Sequence, residues 1–161
     1  MNARSTHLNP GRGGSTTQRP EHNLSAVQPT RILHTMLRVT NLKQSISFYC
    51  NQLGMTLHRM EDYPDGRFSL AFLGYGDEDR QAVLELTHNW EIASYDLGSS
   101  YGHLAIEVKN LDLFWQRLAR SNVKLIRAPG AMGYSSPQRH QSEKIAFIED
   151  PDGYRIELIE Q

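Results

Sequence analysis

The chain has 161 residues, 39% of them hydrophobic and 22% charged, with a formal net charge of -1 and a pI near 6.6. That is enough apolar material for one globular core, and the near-neutral balance gives no footprint for nucleic acid or an anionic membrane. No apolar run approaches the roughly 18 residues a membrane helix needs, and the single cysteine, Cys50, permits no intrachain disulfide, which points to a reducing, cytoplasmic setting.

Residues 1–30 hold Ser, Thr, Asn, Gln, Gly and Pro, with Arg4, Arg12 and Arg19 set against the single acid Glu21. They show no apolar period of 2 or 3.6, so the composition predicts a disordered extension. A transit peptide would carry an amphipathic face, and Leu8, Leu24 and Val27 do not make one.

A folded domain is expected over residues 31–161. Ile32 to Thr40 reads as a strand. Asn41 then stands as a helix N-cap with Gln44 three residues on. The helix places Leu42, Ile46, Tyr49 and Leu53 on one face and stops at Gly54. Cys50 falls on its buried side as an inert thiol. Three strands follow: Met55 to Asp62, Arg67 to Tyr75 after the turn Pro64-Asp65-Gly66, and Ala82 to Asn89 after the charged loop Gly76 to Gln81. Residues 31–97 thus spell βαβββ.

After a linker through Gly98, residues 101–161 repeat the order. His103 to Val108 is the strand and Leu111 to Ser121 the helix. Lys124 to Ala128, Lys144 to Glu149 and Tyr154 to Glu160 are the remaining strands, the last after the turn Asp150-Pro151-Asp152-Gly153. Pro129 to Glu143 reads as a long polar loop, a length that usually serves function.

The two halves share a phrase. His34-Thr35-Met36-Leu37-Arg38-Val39-Thr40-Asn41-Leu42 returns as His103-Leu104-Ala105-Ile106-Glu107-Val108-Lys109-Asn110-Leu111, without a gap. Leu84-Glu85-Leu86 closes the first copy and Ile156-Glu157-Leu158 the second. Alternate strand residues share a face. His34, Met36 and Arg38 therefore lie on one side, with Leu37 and Val39 opposite; Glu85, Thr87 and Asn89 likewise share a face. In the second half His103 and Glu157 repeat the pattern. The apolar faces take the helices, which leaves two imidazoles and two carboxylates on the open faces of two small sheets. Burying such carboxylates without a counter-charge is heavily penalised, and a divalent cation removes the penalty. His7, His22, His58, His88 and His140 are read as non-ligands.

Several stretches in order resemble one family: Leu33 to Val39, Ser69 to Tyr75, Leu84 to Trp90, Tyr101-Gly102-His103 and Ala146 to Leu158. They are similar to glyoxalase I, lactoylglutathione lyase, of the vicinal oxygen chelate superfamily, from about residue 31 to the C-terminus. The resemblance implies paired βαβββ modules with curved mixed sheets in an α+β fold, and a homodimer whose active sites lie at the subunit interface. It implies metal ligands His34 and Glu85 from one subunit and His103 and Glu157 from the other, with Arg38 and Asn89 gripping glutathione. The implied reaction converts the glutathione–methylglyoxal hemithioacetal into S-D-lactoylglutathione through a metal-stabilised enediolate, with Glu157 as the base and Glu85 mainly a ligand. The short stretches after Tyr75 and Trp90 look like the compact bacterial type, usually activated by Ni2+ or Co2+, with Zn2+ an alternative. The extension, the loop from Pro129, Ser99 where some relatives have arginine, and Lys144 depart from the pattern. A non-catalytic binding module of the same fold and an iron dioxygenase stay open as alternatives.

Overall fold

In both halves an asparagine turns the chain out of a strand and into a helix with the same backbone geometry. Asn41 has φ -139° and ψ 98°, Asn110 has φ -139° and ψ 92°, and each side chain caps its helix. Asn41 Oδ1 accepts from the Gln44 N–H and Asn110 Oδ1 from the Leu113 N–H, both at 3.0 Å. Each bond satisfies a donor that the first helical turn leaves open.

The computed structural model describes residues 28–134, 136–138 and 142–161. The expected disorder of residues 1–27, together with His7, His22, Ser135 and His140, lies outside the described residues. Residues 31–161 form one compact unit. The strands are β1 (His34–Arg38), β2 (Thr56–Tyr63), β3 (Phe68–Gly74), β4 (Val83–Asn89), β5 (Leu104–Val108), β6 (Lys124–Ala131), β7 (Lys144–Glu149) and β8 (Arg155–Glu160). The helices are α1 (Leu42–Ser47) and α2 (Leu111–Leu118). They make two four-stranded mixed sheets of one topology, β1-β4-β3-β2 and β5-β8-β7-β6, with β1 parallel to β4 and β5 parallel to β8. The remaining pairs are antiparallel. This is the α+β architecture of doubled βαβββ modules.

Most strand ends moved by a residue or two; three boundaries moved further. The helix after Asn41 widens into a π-type turn at Phe48–Gln52, where the Leu53 N–H bonds the Phe48 carbonyl, before Gly54 takes φ +76°. Helix α2 ends at Leu118, short of the expected Ser121, because the Ser121 hydroxyl and N–H both fold back on the Leu118 carbonyl. Strand β6 runs on through Pro129 and Gly130, since Gly130 and Ala131 find ladder partners in Ile145 and Lys144. The polar loop is correspondingly shorter.

Between the sheets' helix-side faces lies the core. Leu37, Val39, Tyr49, Leu73 and Leu86 are sealed in the first half, and Leu111, Leu118, Ile148, Ile156 and Leu158 in the second. Full burial of each such aliphatic side chain is worth about 1.5–3 kcal/mol. Cys50 is half-buried, and desolvation pushes its thiol up from its ordinary value.

A hydrogen-bonded turn joins the halves. The turn Asp150-Pro151-Asp152-Gly153 docks on the corner between β1 and α1. Tyr49 donates to Asp150 Oδ2 at 2.8 Å. The Thr40 N–H and hydroxyl donate to Asp152 Oδ1 at 2.8 and 2.7 Å, and the Ser45 hydroxyl to Asp152 Oδ2 at 3.2 Å. Asp150 Oδ1 closes the turn itself by accepting from the N–H groups of Asp152 and Tyr154. Buried at 5% exposure, Asp150 is raised from 3.8 to about 6, chiefly by desolvation.

Candidate metal centre

The two closing glutamates find their histidines. In the first half β1 and β4 run side by side with Met36 opposite Glu85, and His34 Nε2 lies 3.0 Å from Glu85 Oε2. In the second half Ala105 is opposite Glu157, and His103 Nε2 lies 3.0 Å from Glu157 Oε2. The two pairs match in exposure as well: 41% and 12% for the first, 42% and 12% for the second. Each imidazole presents an accessible edge above a nearly covered carboxylate. Behind each histidine stands a phenylalanine ring, Phe72 or Phe147, edge-on at 5.7 Å. Thr87 donates to Glu85 Oε1 at 2.8 Å, leaving Oε2 to face the histidine.

The structure brings the four residues together as two pairs rather than one group. Among the described residues of the chain, no three potential ligands gather. A pair is half of a coordination set. Two donors at right angles on an ion, each bonded at about 2.1 Å, stand about 3.0 Å apart, and each His–Glu separation has that value. The donor types, imidazole nitrogen and carboxylate oxygen, suit a divalent first-row ion. The residues present therefore fit the metal that their pattern calls for.

The wall of each cup extends along a cross-strand row. Met36, Glu85, Phe72 and Arg59 stand in register across the first sheet, and Ala105, Glu157, Phe147 and Arg127 across the second. The sequence reading passed over Arg59 and Arg127. The reason is a break in β register at the same place in both halves, between Leu57 and Arg59 and between Leu125 and Arg127. Each bulge turns its arginine onto the histidine face. The Arg59 guanidinium lies 3.4 Å over the centre of the Phe72 ring and makes a bidentate pair with Glu78 through Nε and Nη2. That pairing holds the Glu78 carboxyl below its ordinary range. Beside the same bulge His58 Nε2 is buried and, among the described residues, without a hydrogen-bond partner.

Arg38 and Asn89 take different surroundings. Asn89 donates from Nδ2 to the Tyr95 hydroxyl at 3.1 Å. The Arg38 carbonyl accepts from the Tyr154 hydroxyl at 3.1 Å, and its side chain lines a cleft of about 370 Å³ with Met36, Tyr95, Asp96, Tyr101 and Tyr154. His88 turns away from the cup, its Nδ1 3.1 Å from the Val39 carbonyl. Lys144 is committed elsewhere, to Asp112 at 2.6 Å and Glu160 at 3.5 Å.

Residues 31–158 match the model of the Glyoxalase/Bleomycin resistance protein/Dioxygenase superfamily. A lactoylglutathione lyase of Neisseria meningitidis is 53% identical over 131 residues, covering 81% of this chain and 91% of that one. One from Salmonella typhimurium is 49% identical over 81% of this chain and 92% of its own. Among solved structures, the trypanothione-dependent glyoxalase I of Leishmania major superposes with a TM-score of 0.69 at 39% identity, over 82% of this chain and 87% of that one. Glyoxalase I of Zea mays gives 0.74 at 37% identity, over 81% of this chain; the chain spans 44% of the maize polypeptide. No helix among the described residues is long and apolar enough to cross a membrane. With a doubled βαβββ fold, twin His–Glu pairs and bacterial relatives this similar over nearly their whole length, the chain belongs to the lactoylglutathione lyase family of the Glyoxalase/Bleomycin resistance protein/Dioxygenase superfamily.

Proposed function

We propose that this protein isomerises the hemithioacetal of glutathione and methylglyoxal to S-D-lactoylglutathione, using one divalent cation per active site. The observation that carries this reading is the repeated His–Glu separation of 3.0 Å on the open face of each sheet. Ni2+ is the preferred ion, with Co2+ and Zn2+ as alternatives. It would be held by His34 and Glu85 with His103 of the partner subunit and Glu157 of the partner subunit. Two donors from one half are too few to retain a cation, and a twofold homodimer sets a first-half pair against a second-half pair twice over.

When bound, the cation supplies electrostatic stabilisation of the negative charge that develops on the substrate oxygens. The chain's own groups move the proton. Glu157 takes it from C1 of the hemithioacetal; the electron pair shifts to give an enediolate. The same carboxyl returns the proton to C2, the C1 hydroxyl proton is lost and the C2 oxygen regains one, and the product is a thioester with no change in overall composition. Phe72 and Phe147, edge-on to the histidines, give each cup an apolar wall. Arg38 and Asn89 hold the glutathione arm. A glutathione-linked substrate and a single free cysteine are in keeping with a cytoplasmic setting.

The test is to strip the protein with a chelator, restore Ni2+, Co2+ and Zn2+ separately, and follow thioester absorbance with glutathione and methylglyoxal. Activity should return with at least one of them. No thioester with any of the three would overturn the reading.

A further inference from the structure

The cleft beside Arg38 is built from both halves and the segment between them. Met36, Leu37 and Arg38 come from β1, Tyr95, Asp96 and Leu97 from the connecting segment, and Tyr101 and Tyr154 from the second half. Its floor is fixed. Tyr101 packs edge-on against Tyr154 with ring centres 5.4 Å apart, and the Tyr154 hydroxyl anchors the Arg38 carbonyl. The hydrogen bond from Asn89 to Tyr95 ties the cleft to the cup that holds His34 and Glu85.

The cleft contains two opposite charges that do not neutralise each other. The Arg38 guanidinium makes no ion pair among the described residues. Asp96 accepts at Oδ1 from the Gly98 N–H at 2.9 Å, which pins its carboxylate, and it makes no ion pair among the described residues. A cation and an anion that line one cleft without pairing are complementary to a ligand carrying both charges. Of the two ends of glutathione, the glycyl end has a carboxylate alone. Only the γ-glutamyl end bears an α-carboxylate and an α-ammonium on one carbon.

We propose that Asp96 is a specificity-determining residue that receives the α-ammonium of the γ-glutamyl end while Arg38 takes its carboxylate. This rests on the reading of Arg38 and Asn89 as the glutathione grip. Tyr95 is a positioning residue: its hydroxyl accepts from Asn89 Nδ2 and fixes that amide beside the cleft. The pairing makes the enzyme sensitive to a group far from the reacting carbon, as remote contacts that orient a substrate do.

The experiment measures, by calorimetry on the metal-loaded full chain, binding of S-hexylglutathione and of its counterpart in which a glutaryl group replaces γ-glutamyl and so lacks the ammonium. The unaltered protein should bind S-hexylglutathione roughly tenfold more tightly, the size expected of a partly solvated ion pair with a hydrogen bond. Asp96→Asn should bind both ligands equally, at the weaker affinity; unchanged affinity for the glutaryl ligand also reports an intact fold. Equal binding of the two ligands by the unaltered protein, or discrimination that survives in Asp96→Asn, would overturn the assignment. Should either occur while thioester formation is intact, Asp96 alone loses its role. Should neither ligand bind and no thioester form, the glutathione reading falls and takes this one with it.

Discussion

His34 Nε2 stands 3.0 Å from Glu85 Oε2, across a parallel strand pair whose members are separated in sequence by an entire helix and two strands. The second half reproduces the relationship to the same distance. Two copies of one arrangement, each with two donors, explain why the chain by itself gathers no group of three ligands among its described residues, and they make the assembly of the site testable.

Complementation is the direct test of that assembly. His34→Ala and His103→Ala should each yield an inactive homodimer. Co-expressed, they form mixed dimers in which one site collects both defects and the other collects none. About half the unaltered activity per mixed dimer is therefore expected from symmetry alone. A mixed dimer as inactive as its parents would mean that each site draws its ligands from a single chain.

Glu157→Gln separates the base from the ligand. The amide keeps an oxygen donor but cannot take a proton. Turnover should fall by about 10²- to 10⁴-fold, while metal content, read by elemental analysis of the purified protein, stays substantial. Retained turnover in the metal-loaded variant would move the proton transfer to another group, with Glu85 the next to examine.

Asp150 gives stability a pH dependence of stated sign. Its carboxyl is raised from 3.8 to about 6 in the folded protein, so the folded state binds the proton more tightly than the unfolded chain. That contribution is complete below the unfolded value and is lost as pH rises through about 6. Its full size is about 3 kcal/mol. Urea unfolding of the unaltered protein and of Asp150→Asn should show a stability difference that shrinks by about that amount in favour of the variant between pH 4 and pH 7. A difference that is flat across this range would show that Asp150 titrates normally.

The hydroxyl of Tyr49 is one of the bonds joining the halves. Tyr49→Phe removes the donor to Asp150 Oδ2 without altering packing volume, and should cost about 1–3 kcal/mol in the same unfolding experiment. Combined with Asp150→Asn the two losses should be less than additive, because they share one bond. Strict additivity would mean that the contact contributes nothing.

The repeated caps predict repeated costs. Asn41→Ala and Asn110→Ala should each lower stability by about 1 kcal/mol, since their geometries differ by only a few degrees of ψ. A large inequality between them would show that the two helices bear different loads.

Much of the candidate site was legible because a strand's faces follow from a period of two. His34, Arg38, Glu85 and Asn89 were placed by alternation, and the second copy of the phrase fixed His103 and Glu157. Arg59 and Arg127 were not legible. A bulge shifts register by one residue and reverses which side chains face the cup, and no residue type in the edge strands marks its place. The π-type turn at Phe48–Gln52 was hidden for a similar reason: its residues continue the apolar pattern of a helix, and only the hydrogen bonds change.

By itself the sequence determined the duplication, the element order and the shared face of His34 with Glu85 and of His103 with Glu157, because each depends on composition and short-range period. Only tertiary structure decided that each histidine meets its own half's glutamate, that Asp150 and Asp152 lock the second half onto Thr40, Ser45 and Tyr49, and that Arg38 and Asp96 share a cleft. Those relations join residues tens of positions apart. They are set by strand pairing and packing, which no local pattern encodes.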